Sequence, residues 1–215
     1  MREQTLQAIT RHKLVAIIRG IPHRQALSTV EALYEGGVRL VEIPFDHRSA
    51  EGLRNTRESI ETITRRFGTE LAIGAGTVLL PEQVEQAEGA GASFILSPDT
   101  SQAVIERTRE LGLVSVPGGA TPTEISRAYR LGADLVKLFP AADLGLRYLQ
   151  AVGAPLGHIP LLAVGGIDEH NMQAWLQAGA IGVGVGGSLV REELIREERY
   201  SELTALARAY TSQIV

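Results

Sequence analysis

The sequence predicts an α/β chain folded as one (β/α)8 TIM barrel over residues 1–215, with an extra helix at its N-terminus. Three observations predict it. Runs rich in β-branched residues recur eight times: Leu14–Ile18, Leu40–Ile43, Leu71–Ile73, Phe94–Leu96, Val114–Val116, Leu135–Leu138, Leu161–Val164 and Ile181–Val185. Most are continuously apolar, as a strand buried on both faces of a parallel sheet must be. They recur at intervals of about 20–30 residues, room for one strand and one helix each. An open doubly wound sheet is the rival, but it has fewer strands and a distinct switch point.

Helical patterns fill the intervals. Residues 1–11 form the expected extra helix, covering the bottom of the barrel. Arg24–Tyr34 puts Ala26, Leu27, Val30, Leu33 and Tyr34 on one face. Pro81 opens the next clear helix, with Val84 and Ala87 inside and Gly89 and Gly91 near its end, the usual proline-first, glycine-last punctuation. Thr121, with Glu124 three residues on, has capping-box spacing. Asp168 is expected to begin a helix containing Met172, Trp175 and Leu176 and ending at Gly179. Tyr200–Tyr210 carries Leu203, Leu206 and Ala207 at helical spacing.

Composition narrows the function classes. The hydrophobic fraction is 44% and the charged fraction 21%, ordinary for a soluble protein. There is no cysteine, which rules out thiolate nucleophiles and Cys-ligated zinc and fits a reducing compartment. The net charge is −4 without a basic run, so no phosphate-neutralising patch for nucleic acid is expected. Residues 1–14 lack the apolar core of a signal peptide, and no apolar stretch approaches the roughly 20 residues that span a bilayer. The expectation is a cytoplasmic protein with neither a nucleic-acid nor a membrane partner.

Active sites of such barrels lie at the C-terminal ends of the strands. The polar or glycine residues falling there are Arg19, Glu42, Thr77, Ser97-Pro98, Gly118-Gly119, Lys137, Gly165-Gly166 and Gly186-Gly187-Ser188. Lys137 stands out inside Leu135-Val136-Lys137-Leu138-Phe139-Pro140. Burial disfavours its charged form and so frees an amine for Schiff-base chemistry. The other lysine, Lys13, sits in the polar stretch Arg11-His12-Lys13. Position alone leaves open a lysine that snorkels to the surface or pairs with a carboxylate. Glu42, inside Leu40-Val41-Glu42-Ile43-Pro44, is either a proton shuttle with a raised pKa or a structural partner of Lys137 or Arg19. The glycines after the seventh and eighth strands are either tight turns or, with Ser188, a phosphate site built from backbone N–H groups. The histidines show no metal-ligand spacing. Glu42, Asp46 and His47 could be drawn as a metal set, against a solvated loop, and the loop is the expectation. No Gly-x-Ser-x-Gly elbow exists, and Gly182–Gly186 lacks the strand–turn–helix setting of a dinucleotide loop.

Taken in order, eight stretches carry a resemblance. They are Ala16-Ile17-Ile18-Arg19-Gly20, Val41-Glu42-Ile43-Pro44, Ile73-Gly74-Ala75-Gly76-Thr77-Val78-Leu79, Leu96-Ser97-Pro98, Val116-Pro117-Gly118-Gly119-Ala120-Thr121, Val136-Lys137-Leu138-Phe139-Pro140, Ala163-Val164-Gly165-Gly166-Ile167 and Gly186-Gly187-Ser188. Over nearly its whole length the chain resembles the 2-keto-3-deoxy-6-phosphogluconate and 2-keto-3-deoxy-6-phosphogalactonate aldolases. The resemblance implies a class I aldolase in which Lys137 forms the imine and Glu42 is the general acid/base. It implies that Thr77 lies near the substrate carboxylate and that Arg19 belongs to the substrate pocket. Pro98 and Phe139 join that pocket, and Gly165, Gly166, Gly187 and Ser188 hold the phosphate. It also implies a homotrimer with no cofactor and no metal, acting on a phosphorylated keto-deoxy sugar acid and releasing pyruvate.

One departure is informative. The gluconate-type aldolases read Glu-Val-Thr-Leu-Arg; here the arginine's place is Asp46, with Arg48 the nearest arginine. The galactonate type reads Glu-Ile-Pro without that arginine, and Val-Gly-Gly where the gluconate type reads Thr-Gly-Gly. Glu42-Ile43-Pro44 and Val164-Gly165-Gly166 therefore resemble the galactonate type more. Relatives that cleave 4-hydroxy-2-oxoglutarate or other keto-deoxy acids keep the substrate open, and a phosphosugar isomerase or epimerase, a metal-dependent aldolase or a non-catalytic sugar-phosphate binder are the rivals from other classes.

Overall fold

A computed structural model describes residues 2–214. Among them, nine strand segments lie parallel in one sheet: β1 Leu14–Ile17, β2 Leu40–Pro44, β3 Ala72–Gly76, β4 Phe94–Leu96, β5 Val114–Val116, β6 Gly118–Gly119, β7 Val136–Leu138, β8 Leu161–Val164 and β9 Gly182–Val185. The helices are α1 Arg2–His12, α2 His23–Glu35, α3 Ala50–Phe67, α4 Pro81–Gly89, α5 Gln102–Glu110, α6 Pro122–Arg130, α7 Ala141–Leu144, α8 Leu146–Leu156, α9 Met172–Gln177, α10 Glu192–Arg196 and α11 Tyr200–Thr211.

The segments join in the order β5-β4-β3-β2-β1-β9-β8-β7-β6. The two ends of that order, β5 and β6, are consecutive in the chain and parted only by Pro117. Proline offers no N–H to a ladder. The stretch turns here from one neighbour to the other, β5 pairing with β4 and β6 with β7. Ser115 O accepts from Asp134 N and Leu135 N, and Pro117 O accepts from Lys137 N at 2.8 Å. The nine segments are thus the eight predicted staves of a barrel, the fifth of them interrupted.

Strand alternation separates two cores, since successive side chains point to opposite faces. Outward residues such as Ala16, Val41, Ile43, Ile73, Val136, Ala163 and Val183 pack against the helices. Inward residues Val15, Ile17, Leu40, Phe94, Leu96, Val114, Val116, Leu135, Leu162 and Val164 fill the barrel. Ile9 of α1 joins this inner cluster, with Leu6 and Ala8 against it, so α1 plugs the bottom as expected. The predicted residue Met1 lies outside the described residues. An ion pair from Arg2 to Asp134, whose other oxygen accepts Ser115 N at 2.9 Å, ties the plug to the fifth and sixth staves.

The third stave runs on to Gly76, beyond the expected end at Ile73. Gly74-Ala75-Gly76 looks like a turn in the sequence but is strand because of the barrel's filling. A β-carbon at Gly74 would collide with the Phe94 ring, and one at Gly76 with the Glu42 carboxylate. Phe94 is fully buried, a contribution of about 1.5–3 kcal/mol relative to exposure. The helix expected from Asp168 begins instead at Met172. Asp168 Oδ1 accepts from His170 N and Asn171 N at 2.9 and 3.0 Å, closing a turn ahead of it. The Thr121 cap forms as predicted, with Glu124 accepting Thr121 N at 2.8 Å. No helix among the described residues is long and apolar enough to cross a membrane.

Candidate active site

Lys137 is the inward residue of β7, level with Gly118 on one side and Leu162 on the other. Its neighbours Val136 and Leu138 face the helix layer, so alternation alone turns the amine into the barrel. Glu42 is the inward residue of β2, level with Ile17 and Gly74. Both are buried, at 5% and 2% exposure. Glu42 Oε2 has no hydrogen-bond partner among the described residues. A buried carboxylate oxygen left unpaired is costly.

Their electrostatics follow from that burial. Loss of solvent pushes the Glu42 carboxyl above its ordinary value, and the nearby Lys137 and Arg19 charges pull it back only in part. The Lys137 amine is pushed below its ordinary value, first by burial and then by Arg19, against the attraction of Glu42. For both groups desolvation exceeds their mutual attraction. Relative to water, the barrel interior therefore shifts each group toward its neutral form, an amine that can attack a carbonyl and an acid that can pass protons.

The other predicted residues surround this pair. Arg19 leaves the end of β1 and donates to Thr77 Oγ1 at 3.4 Å. Thr77 stands in the left-handed region at φ 53°, a conformation that costs a non-glycine residue about 1–3 kcal/mol. It is held there: His47 Nε2 donates to Thr77 O at 2.8 Å, and Ser97 Oγ to the following carbonyl, Val78 O, at 2.8 Å. Pro98 follows β4, its carbonyl lying against the backbone of Gly118. Phe139 is 38% exposed at the mouth. Its ring centroid lies 4.6 Å from Lys137 Nζ, and a β-carbon on Gly165 would lie 3.4 Å from the same ring. Phe139 thus bridges the lysine and the glycine loop.

Gly165 and Gly166 take φ values of 101° and 71°, which only glycine adopts freely. Gly187 and Ser188 begin the turn after β9, with open space above Gly187. The Ser188 hydroxyl is turned inward, donating to Ile167 O at 2.7 Å, so it ties the two loops together.

Arg48 lines the cleft beside Arg19 and Thr77 but is tied back to its own loop. Its Nε and Nη2 donate to both oxygens of Asp46, at 2.8 and 2.9 Å, and its side chain is 83% exposed. This pairing holds the Asp46 carboxyl down at about 2. The imagined set of Glu42, Asp46 and His47 is not brought together: their partners are, respectively, the buried interior, Arg48 and Thr77. Among the described residues no group of three His, Cys, Asp or Glu side chains could hold a metal ion. A cleft of about 570 Å³ opens beside Arg19 and Thr77, between the loops after β1 and β2 and the start of α3.

The sequence reading missed His47 as the support of Thr77 and Gly76 as the room for Glu42. A histidine in a polar loop carries no signal of a backbone contact 30 residues away. Gly76 carried one, since a glycine interrupting a strand often marks a close approach.

The family model for "KDPG and KHG aldolase" matches residues 6–206. A 2-dehydro-3-deoxy-6-phosphogalactonate aldolase of Escherichia coli (strain K12) is 36% identical over 97% of this chain and all of its own. A solved structure described as native KDPGal superposes with a TM-score of 0.82 at 36% identity, over 93% of each chain. A KDPG aldolase of Legionella pneumophila, solved with pyruvate captured as a covalent carbinolamine intermediate, superposes with a TM-score of 0.83 at 26% identity, over 94% of this chain and 96% of its own. The barrel, its inward lysine and acid, and these matches have one reading: the chain belongs to the KDPG and KHG aldolase family of carbon–carbon lyases.

Proposed function

We propose that this chain is a class I aldolase that cleaves a 2-dehydro-3-deoxy-6-phospho-sugar acid to pyruvate and glyceraldehyde 3-phosphate. The observation that carries the reading is the burial of Lys137 and Glu42 inside one barrel, each biased toward its neutral form. Lys137 Nζ attacks the C2 ketone, and the carbinolamine loses water to a protonated imine. Glu42, having given its proton to the departing hydroxyl as water, is left as a carboxylate and, directly or through a water, takes the C4 hydroxyl proton. The C3–C4 bond breaks, its electron pair passing into the imine to give an enamine, and the aldehyde leaves. Protonation at C3 and hydrolysis release pyruvate and restore the amine. No metal or cofactor is required in this scheme.

The remaining roles belong to the same reading. Thr77 and Arg19 take the carboxylate. Pro98 and Phe139 wall the keto-acid segment. Gly165, Gly166 and Gly187 offer N–H groups to the phosphate, and Ser188 offers its own N–H or a rotated hydroxyl. Asp46 in the gluconate-type arginine's place and Val164 ahead of the glycines favour the galactonate epimer; 4-hydroxy-2-oxoglutarate is the second candidate, as a smaller keto acid sharing the same end. The working form is a homotrimer of one barrel per chain in the cytoplasm. Pyruvate release from the phosphogalactonate and phosphogluconate substrates, followed by coupled reduction to lactate, tests the activity. Cleavage of the galactonate epimer at the higher kcat/KM is expected; no pyruvate from either would overturn the reading.

A further inference from the structure

The last helix reaches the candidate phosphate loops through one buried phenol. Tyr210, near the end of α11, is fully buried. Its hydroxyl donates to Glu169 Oε2 at 2.8 Å and lies beside the Ser188 hydroxyl. Glu169 belongs to the loop after β8 and Ser188 to the loop after β9. The other Glu169 oxygen accepts from Arg191 Nη2 at 3.2 Å, and Arg191 Nε returns to Ser188 O at 3.3 Å. Gln213 Nε2 donates to Glu169 O at 3.1 Å, a second tie from beyond α11. Three stretches far apart in sequence therefore meet on one carboxylate.

A phenylalanine would fill the Tyr210 site as well, and a buried hydroxyl is costly unless it is bonded. What the hydroxyl adds is directional. It ties the loop after β8, through Glu169, to the end of α11 beside Ser188 of the loop after β9. With the backbone N–H of Glu169, it also holds the Glu169 carboxyl below its ordinary value, keeping it ionised and able to hold Arg191. Burial pushes the phenol up to about 12, so it stays a donor across the working pH range.

We propose that Tyr210 is a positioning residue for recognition of the substrate's phosphate, acting through Glu169 and Ser188 on the two glycine loops. The inference rests on the aldolase reading above. It reaches beyond that reading by making the C-terminal helix part of the specificity for a phosphorylated over an unphosphorylated substrate.

The test is Tyr210→Phe, with Glu169→Gln as a second variant that keeps the side-chain volume. Three readouts are compared with the wild type: KM and kcat for the phosphorylated keto acid, competitive inhibition by inorganic phosphate, and exchange of the pyruvate C3 protons with solvent. That exchange uses the imine and Glu42 but no phosphate. The expected result for Tyr210→Phe is a KM and a phosphate inhibition constant both raised about tenfold, of the order of one hydrogen bond to a charged group, with pyruvate exchange unchanged. Glu169→Gln should move the same two constants in the same direction. An unchanged KM in both variants overturns the proposal. So does an equal fall in cleavage and pyruvate exchange, which is what general loosening of the fold would produce. Absence of pyruvate exchange in the wild-type protein would instead overturn the aldolase reading itself.

Discussion

Glu42 and Gly76 share one space: the carboxylate oxygen Oε1 stands where a β-carbon on residue 76 would be. Gly76 does not have a positive φ, so the constraint is volume and not backbone conformation. Gly76→Ala must therefore displace the acid while the strand can persist. The expected outcome is a kcat lowered at least tenfold, about 1.4 kcal/mol in the barrier, with a circular dichroism spectrum like the wild type's. A fully active Gly76→Ala enzyme would mean that the Glu42 position is not needed.

Glu42→Gln should lower kcat by about 10²–10⁴, the usual worth of a positioned acid/base, while imine formation persists. The same variant has a stability signature. Burial raises the folded-state carboxyl above its ordinary value of 4.5. Its stabilising contribution is then fully present below that ordinary value and is lost as pH rises through the folded-state value. Glutamine never ionises, so the variant should melt higher than the wild type near neutral pH and lose that advantage below pH 4.5. Attraction from Lys137 diminishes the gain without reversing it, because burial is the larger effect. Thermal midpoints between pH 4 and 8 check this.

Arg19 lowers the titration of both Glu42 and Lys137 by its charge. Arg19→Met should move both limbs of the pH profile of kcat to higher pH, besides raising KM through loss of the contact with Thr77. A profile that keeps its limbs would remove Arg19 from the electrostatics of the pair.

Gly166→Ala places a side chain at φ 71° and against the β-carbon of Ala142. The backbone cost alone is about 1–2 kcal/mol. KM for the phosphorylated substrate should rise at least tenfold. The melting temperature should fall by about 2–4 °C for each kcal/mol lost.

Much of this architecture is legible in the sequence because parallel strands buried on both faces read as continuous apolar runs. All eight predicted runs are staves. Lys137 was legible for the same reason, a lone amine in such a run. Helix α3 carries no apolar opening to announce it: Ala50–Arg57 is nearly all polar or small, and its buried stripe of Ile60, Ile63 and Phe67 comes late. The end of β3 was hidden because glycine reads as a turn unless the neighbour that needs its space, Phe94 or Glu42, is known. The supports of the site, His47 and Tyr210, were not legible. One is a loop residue and the other an apolar-face aromatic, and only the fold brings them to Thr77 and Glu169.

The central claim is the nucleophile. Borohydride reduction in the presence of pyruvate, followed by digestion and mass spectrometry, tests it most directly. The account predicts one reduced pyruvate adduct, on Lys137, with Lys13 unmodified and no adduct on a Lys137→Ala variant. A folded wild-type protein that gives no adduct, or one modified only at Lys13, would contradict it.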